Sequence, residues 1–151
     1  MSIENLHIIQ EMARKIHPFN HPSIDPSKTE VNVLPAQQSV VLEVRLYSPD
    51  GQSVVQDLPL GKRFSIPGMQ ISVYPYSKRI HIENCYVRPE YHGRKLGTTF
   101  VRHLLGAAHE VHIKTASLVA DTETDAAPYW RRVHQFQVAD PNHPQYLERR
   151  L

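Results

Sequence analysis

Val87-Arg88-Pro89-Glu90-Tyr91-His92-Gly93-Arg94-Lys95-Leu96-Gly97-Thr98, or VRPEYHGRKLGT, sets two of the chain's 6 glycines and two cations between a strand-like run and a helix-like one. Ahead of it, Ile80, Ile82 and Val87 are apolar while Arg79, His81 and Glu83 point to the opposite face, the period of two expected of a strand. Behind it, Leu96, Phe100, Val101, Leu104, Leu105 and Ala108 recur at helical intervals, which predicts a helix from about Arg94 to His109 with an apolar stripe covering a sheet. Strand, glycine turn and helix in succession collect several backbone N–H groups at the positive end of a helix dipole, an arrangement that suits an anion. Gly93 lets a ligand approach the backbone closely, Gly97 gives room at the first helical turn, and Arg94 and Lys95 add charge, so a diphosphate is favoured over a single carboxylate. An ordinary turn into a solvated helix start has the same composition, and the spacing is neither Gly-x-Gly-x-x-Gly nor Gly-x-x-x-x-Gly-Lys-Ser/Thr.

Outward from this stretch the rhythm changes twice. Toward the N-terminus, Ile3, Leu6, Ile9, Ala13 and Ile16 lie at helical spacing between a capping Ser2 and Pro18, predicting a first helix over residues 3–16. Its apolar face would cover the sheet or mediate a homodimer. PFNHPSIDPSKTE, with Pro18, Pro22 and Pro26, reads as an extended connection to about residue 30. Strands follow at Ser39–Ser48, after an Asp-Gly turn at Ser53–Val55, near Arg63–Ile66, and from Gln70. Toward the C-terminus come a strand from Val111, a short helix from Thr124 that tolerates Pro128 in its first turn, and a last strand at Phe136. The tail DPNHPQYLERRL reads as a short helix or a loosely held end. A meander followed by strand, helix, strand, helix, strand predicts an α/β (α+β) fold in one domain over residues 1–151, a mixed, mostly antiparallel central sheet with helices on both faces.

Composition narrows the function classes. At 151 residues, 40% hydrophobic and 21% charged, the chain is an ordinary globular domain. A formal charge of +2 argues weakly for nucleic acid, and no basic stripe interleaved with aromatics supports it. The one cysteine, Cys85, forms no internal disulfide and excludes a polythiolate zinc site, and the 10 histidines lack metal-ligand spacing, so no metal is expected. With no secretory leader pattern and no run of about 20 apolar residues, a cytoplasmic protein away from membranes is expected.

YVRPEYHGRKLGTTFVRHLL resembles the coenzyme A signature of the GNAT acetyltransferase superfamily, a strand ending in Val-x-Pro followed by Arg/Gln-x-x-Gly-x-Gly/Ala at a helix start. Val87, Pro89 and Gly97 match, and Gly93 matches a glycine often found after the Arg/Gln position; His92 and Lys95 depart from the Arg/Gln and the central Gly. AAPYWRRVHQF is similar to the family's later segment: Ala126, Tyr129, Trp130 and Arg132 match in type, while His134-Gln135 replaces a glycine.

The resemblance implies acetyl transfer from acetyl-CoA to a primary amine by direct attack. It implies that the pantetheine arm lies along Ile80–Val87, on backbone groups of Cys85, Tyr86 and Val87, and that the loop of His92, Gly93, Arg94, Lys95, Leu96, Gly97 and Thr98 holds the pyrophosphate. It makes Glu83 the candidate general base and Tyr129 the candidate acid, since Trp130 stands where the family commonly places the acid tyrosine and cannot serve. These departures leave two further readings open: a CoA-binding regulatory module without catalysis, and a nucleic-acid-binding module.

Overall fold

The computed structural model describes residues 2–151. Helix α1 spans Ile3–Ile16, its first turn closed by the Ser2 hydroxyl accepting from the Asn5 N–H at 3.1 Å. Strands β1 (Glu30–Pro35) and β2 (Val40–Arg45) form an antiparallel pair. Next come a separate two-stranded ribbon, β3 (Asp57–Leu60) with β4 (Phe64–Pro67), then β5 (Met69–Tyr74) and β6 (Arg79–Cys85). Helix α2 (Leu96–Glu110), strand β7 (Thr115–Val119), helix α3 (Ala126–His134) and strands β8 (Gln137–Val138) and β9 (Tyr146–Arg150) complete the chain.

Seven strands make one sheet in the order β1-β2-β5-β6-β7-β9-β8. Every neighbouring pair is antiparallel except β6 and β7, which run parallel because α2 carries the chain from one end of the sheet back to the other. Directly opposed residues share a face, so the register names each side of the sheet. Leu42, Ile71, Ile82, Leu118 and Leu147 form one row and are buried. Val41, Ser72, His81, Ser117, Glu148 and Gln137 form a row on the other face, mostly polar.

The apolar face belongs to the same core as Ile9, Met12 and Ile16 of α1 and Phe100, Val101 and Leu104 of α2. Each such buried aliphatic side chain contributes about 1.5–3 kcal/mol relative to exposure. Helix α1 thus packs beside α2, held also by the His103 ring donating to the Ile16 carbonyl at 2.8 Å. The connection after α1 lies against the stretch that follows β6. There His21 donates from Nε2 to the Arg94 carbonyl at 2.9 Å, while its Nδ1 accepts from the Ser23 N–H at 3.0 Å.

Three expectations need correction. The tail is neither helix nor loose end: Tyr146–Arg150 is β9, seated between β7 and β8. Glu30–Pro35, read as the end of a connection and the start of nothing, is the edge strand β1. Ser53–Val55 keeps the Asp-Gly turn, with Gly51 at φ +89, but contributes isolated bridges to Tyr47 and Val87 instead of a full strand.

Candidate active site

Strands β6 and β7 pair from Arg79–Thr115 to Ile82–Leu118 and then part. Beyond that point β6 continues through Glu83, Asn84 and Cys85 with β5 as its neighbour, leaving its other edge open. A cleft of about 340 Å³ fills the gap, lined by Ile82, Glu83, Cys85 and Tyr86 on one side, by Leu118, Ala120 and Asp121 on the other, and by Trp130 of α3.

A β-bulge shapes this edge. Ile82 faces Ile71 and Asn84 faces Gln70, so Glu83 is an extra residue with no partner on β5. Glu83 and Asn84 then both belong to the polar side, and Cys85, opposite buried Met69, moves to the apolar side. Burial pushes the Cys85 thiol up to about 12, which leaves it protonated and unreactive at neutral pH.

The backbone along the open edge is oriented for a ligand. Tyr86 donates its N–H to the Gly68 carbonyl at 2.6 Å and accepts at its carbonyl from the Gln56 N–H at 3.0 Å. By strand alternation the N–H and C=O groups of Cys85 and Val87 face the opposite way, toward the edge that the splay uncovers. The Val87 carbonyl accepts from His92 Nε2 at 2.8 Å, which folds the following loop back onto the strand end.

That loop runs into α2 through two left-handed residues, Gly93 at φ +84 and Lys95 at φ +57. The structure thereby explains why a glycine suits position 95 and what the lysine costs: a non-glycine residue there is strained by about 1–2 kcal/mol. Among the described residues, the N–H groups of Gly93, Arg94, Lys95, Leu96, Gly97 and Thr98 meet no carbonyl, and the first bonded amide is Thr99, to the Lys95 carbonyl at 2.9 Å. All of these residues but Arg94 line a cavity of about 410 Å³ at the start of the 15-residue helix. Gly97 has room: a Cβ would lie 3.6 Å from Val87 Cγ2, an ordinary contact.

Tyr129 also lines the loop cavity, whereas its neighbour Trp130 lines the cleft. The Tyr129 hydroxyl sits 2.6 Å from Thr98 Oγ1 and 3.0 Å from His134 Nε2. His134 is 1% exposed, its Nδ1 has no partner, and burial together with Arg102 and Arg149 lowers its pKa to about 4.

Glu83 stands at the cleft on the polar side. Its Oε1 accepts from the Ser72 hydroxyl at 3.0 Å, and its Oε2 lies 3.8 Å from His81 Nε2. Ser72 and His81 are residues for which the sequence offered no functional signal beyond strand periodicity. Sequence reasoning placed Glu83, Cys85, Tyr86, Val87 and the loop 92–98 around one locus; the structure sets Glu83, Cys85 and Tyr86 on the cleft and Val87 with the loop, Arg94 apart, on the loop cavity. It separates Tyr129 from the lining of the cleft.

Residues 64–136 match the family described as Acetyltransferase (GNAT) family. PaiA N-acetyltransferase from Thermoplasma acidophilum, solved in complex with coenzyme A, superposes with a TM-score of 0.54 at 13% identity, over 74% of this chain and 61% of that one. An acetyltransferase from Bacillus cereus superposes with a TM-score of 0.51 at 16% identity, over 100% of this chain and 94% of that one. At these identities the likeness is one of fold. No curated protein matches the sequence. The mixed sheet with one parallel, splayed pair is the GNAT fold, and the family match over residues 64–136 takes in that pair and the loop between its strands.

Proposed function

We propose that the protein transfers an acetyl group from acetyl-CoA to a primary amine by direct attack. The observation that carries the reading is the continuity of two features: the open edge of β6, presenting Cys85 and Val87 backbone groups, leads directly into six unbonded N–H groups at the start of α2. The loop donors, with Arg94 and Lys95, fit the pyrophosphate, and the open strand edge fits an amide-bearing arm. Acetyl-CoA would supply the thioester as acyl donor.

The chain's own groups divide the remaining work. The Val87 N–H would serve as the oxyanion donor. Glu83, at the cleft and held by Ser72, takes the proton of the incoming amine. Tyr129 is assigned as the acid for the departing sulfur; to serve, its hydroxyl must exchange its bond to Thr98 or His134 for one to the thiolate. Asp121 beside the cleft favours a cationic acceptor.

Calorimetric titration with acetyl-CoA tests the reading, paired with Gly97→Glu, which puts a carboxylate among the loop donors. Saturable binding abolished by the variant supports it, and no binding by the folded parent rejects it. Trp130 in the cleft and the two bonds that hold Tyr129 favour a second reading, a CoA-binding regulatory domain. That reading expects binding without turnover on any amine, and no functional change in Glu83→Gln.

A further inference from the structure

We propose that His81 is the second station of the proton path, receiving from Glu83 the proton that the amine gives up. The inference rests on the acetyl-transfer reading above and concerns a residue outside the cleft lining.

Ser117 holds one side of the ring. Its hydroxyl donates to the Ile80 carbonyl at 3.4 Å and lies 2.8 Å from His81 Nδ1. In the relay the ring carries its hydrogen on Nδ1 and donates it to the Ser117 oxygen, whose own hydrogen turns to the Ile80 carbonyl, and the Nε2 lone pair is left to accept. Nε2 is the atom that faces Glu83 Oε2, 3.8 Å away. The ring is held in place by stacking on Tyr146, with centroids 6.4 Å apart and planes 15° from parallel, and Tyr146 is itself anchored through its hydroxyl to Glu148 at 3.1 Å. Both ring nitrogens thus face named side chains, Nδ1 the Ser117 hydroxyl and Nε2 the candidate base, on a ring that is mostly buried.

The charges around the ring permit both forms. Arg79 and Glu83 share its strand and face; across the register stand Tyr74 on β5 and Glu148, Arg150 and Tyr146 on β9. Burial lowers the pKa of His81 from its usual value, the Glu83 carboxylate opposes that shift, and Arg79 adds to it. The ring therefore stands neutral at pH 7, able to accept.

The proton count gives such a station a place. A protonated amine loses one proton before it can attack and a second as the C–N bond forms and the C–S bond breaks. The second returns to the sulfur, which leaves with the C–S electron pair. The first passes from nitrogen to the Glu83 carboxylate and on to Nε2 of His81, leaving an imidazolium beside a carboxylate restored for the next step. Release to solvent from the polar face regenerates the neutral ring.

Two readouts test this. Long-range 1H–15N spectra of protein labelled in its imidazole rings report the tautomer without any acceptor: Nδ1–H is expected for His81 at pH 7, with a shift toward Nε2–H in Ser117→Ala. An Nε2–H ring in the parent would overturn the proposal. The second readout is the pH profile of kcat/KM for the parent and His81→Gln, with benzylamine, an N-acetyl-lysine amide carrying a free side-chain amine, and a peptide with a free N-terminus as probe acceptors. The variant is expected to lose about 10–100-fold in kcat, with a displaced acid limb and unchanged acetyl-CoA affinity. Superimposable profiles would overturn the relay alone, whereas a parent that binds no acetyl-CoA would overturn the acetyl-transfer reading together with it.

Discussion

The hydroxyl of Tyr129 lies 2.6 Å from that of Thr98, joining helix α3 to the first turn of α2 at the mouth of the loop cavity. Removing that oxygen in Tyr129→Phe breaks this bond and the one to His134 Nε2. Each such bond is worth about 1 kcal/mol, and the buried nitrogen is left unpaired. The variant should lose about 2 kcal/mol in urea titration. If the bond also steadies the loop, its acetyl-CoA affinity should fall severalfold; a variant with parental affinity would limit Tyr129 to a structural or acid role.

His134 gives stability a pH dependence of known sign. Its folded-state pKa of about 4 lies below the usual 6.5 because burial, then Arg102 and Arg149, disfavour the charged ring. The unfolded chain therefore binds a proton at higher pH than the folded one, and the stabilisation present above pH 6.5 is lost as pH falls toward 4. Between pH 7 and 5 the loss amounts to about 2 kcal/mol. Urea titrations at the two pH values should show this fall in the parent and a smaller one in His134→Asn.

Lys95 holds a left-handed conformation at φ +57 with no side-chain cap on the helix that follows. Lys95→Gly relieves that strain, against which stands the larger entropy of glycine in the unfolded chain. A net gain of about 0.5–1 kcal/mol is expected from the denaturation midpoint. A loss would mean that the lysine side chain makes a stabilising contact of its own.

As the only cysteine, Cys85 reports on the cleft without interference. With its thiol pushed up to about 12, native protein at pH 7.5 should react with an aromatic disulfide at least about 100-fold more slowly than protein in urea. Saturating acetyl-CoA should slow it further. Acceleration by acetyl-CoA would place the arm elsewhere.

Much of this architecture was legible in the sequence where a local signal agreed with the tertiary one. The alternation from Arg79 to Glu83, the glycine turn and the stripe from Leu96 to Ala108 each specify an element without help from distant residues, and each stands as read. Strand β9 was hidden because Tyr-Leu-Glu-Arg-Arg carries mostly polar side chains, and its place depends on a long-range partner. Pairing along Thr115–Val119 decides it, and propensity does not. Strand β1 was obscured for a different reason: exposed on most of its length and ended by Pro35, it lacks a buried face to give it a period. At the site, the bulge was invisible because alternation alone would leave Cys85 on the side of His81 and Glu83. Only the pairing of Asn84 with Gln70 reveals that it crosses over. Tyr129 was readable as a site residue by its place beside Trp130, but which of two adjacent aromatics faces the cleft depends on where the short helix α3 is anchored.

The contact between His21 and the carbonyl of Arg94 joins positions 73 apart in the chain. It makes the opening segment a brace for the loop before α2, so damage far from the loop in sequence is felt there. A protease cut between residues 17 and 24 would fall among Phe19 and Ile24, both in the core, and would loosen the loop and the packing of α1 together. The first two dozen residues and the loop are thereby one mechanical unit, and a change at that end of the chain reaches the loop through the fold.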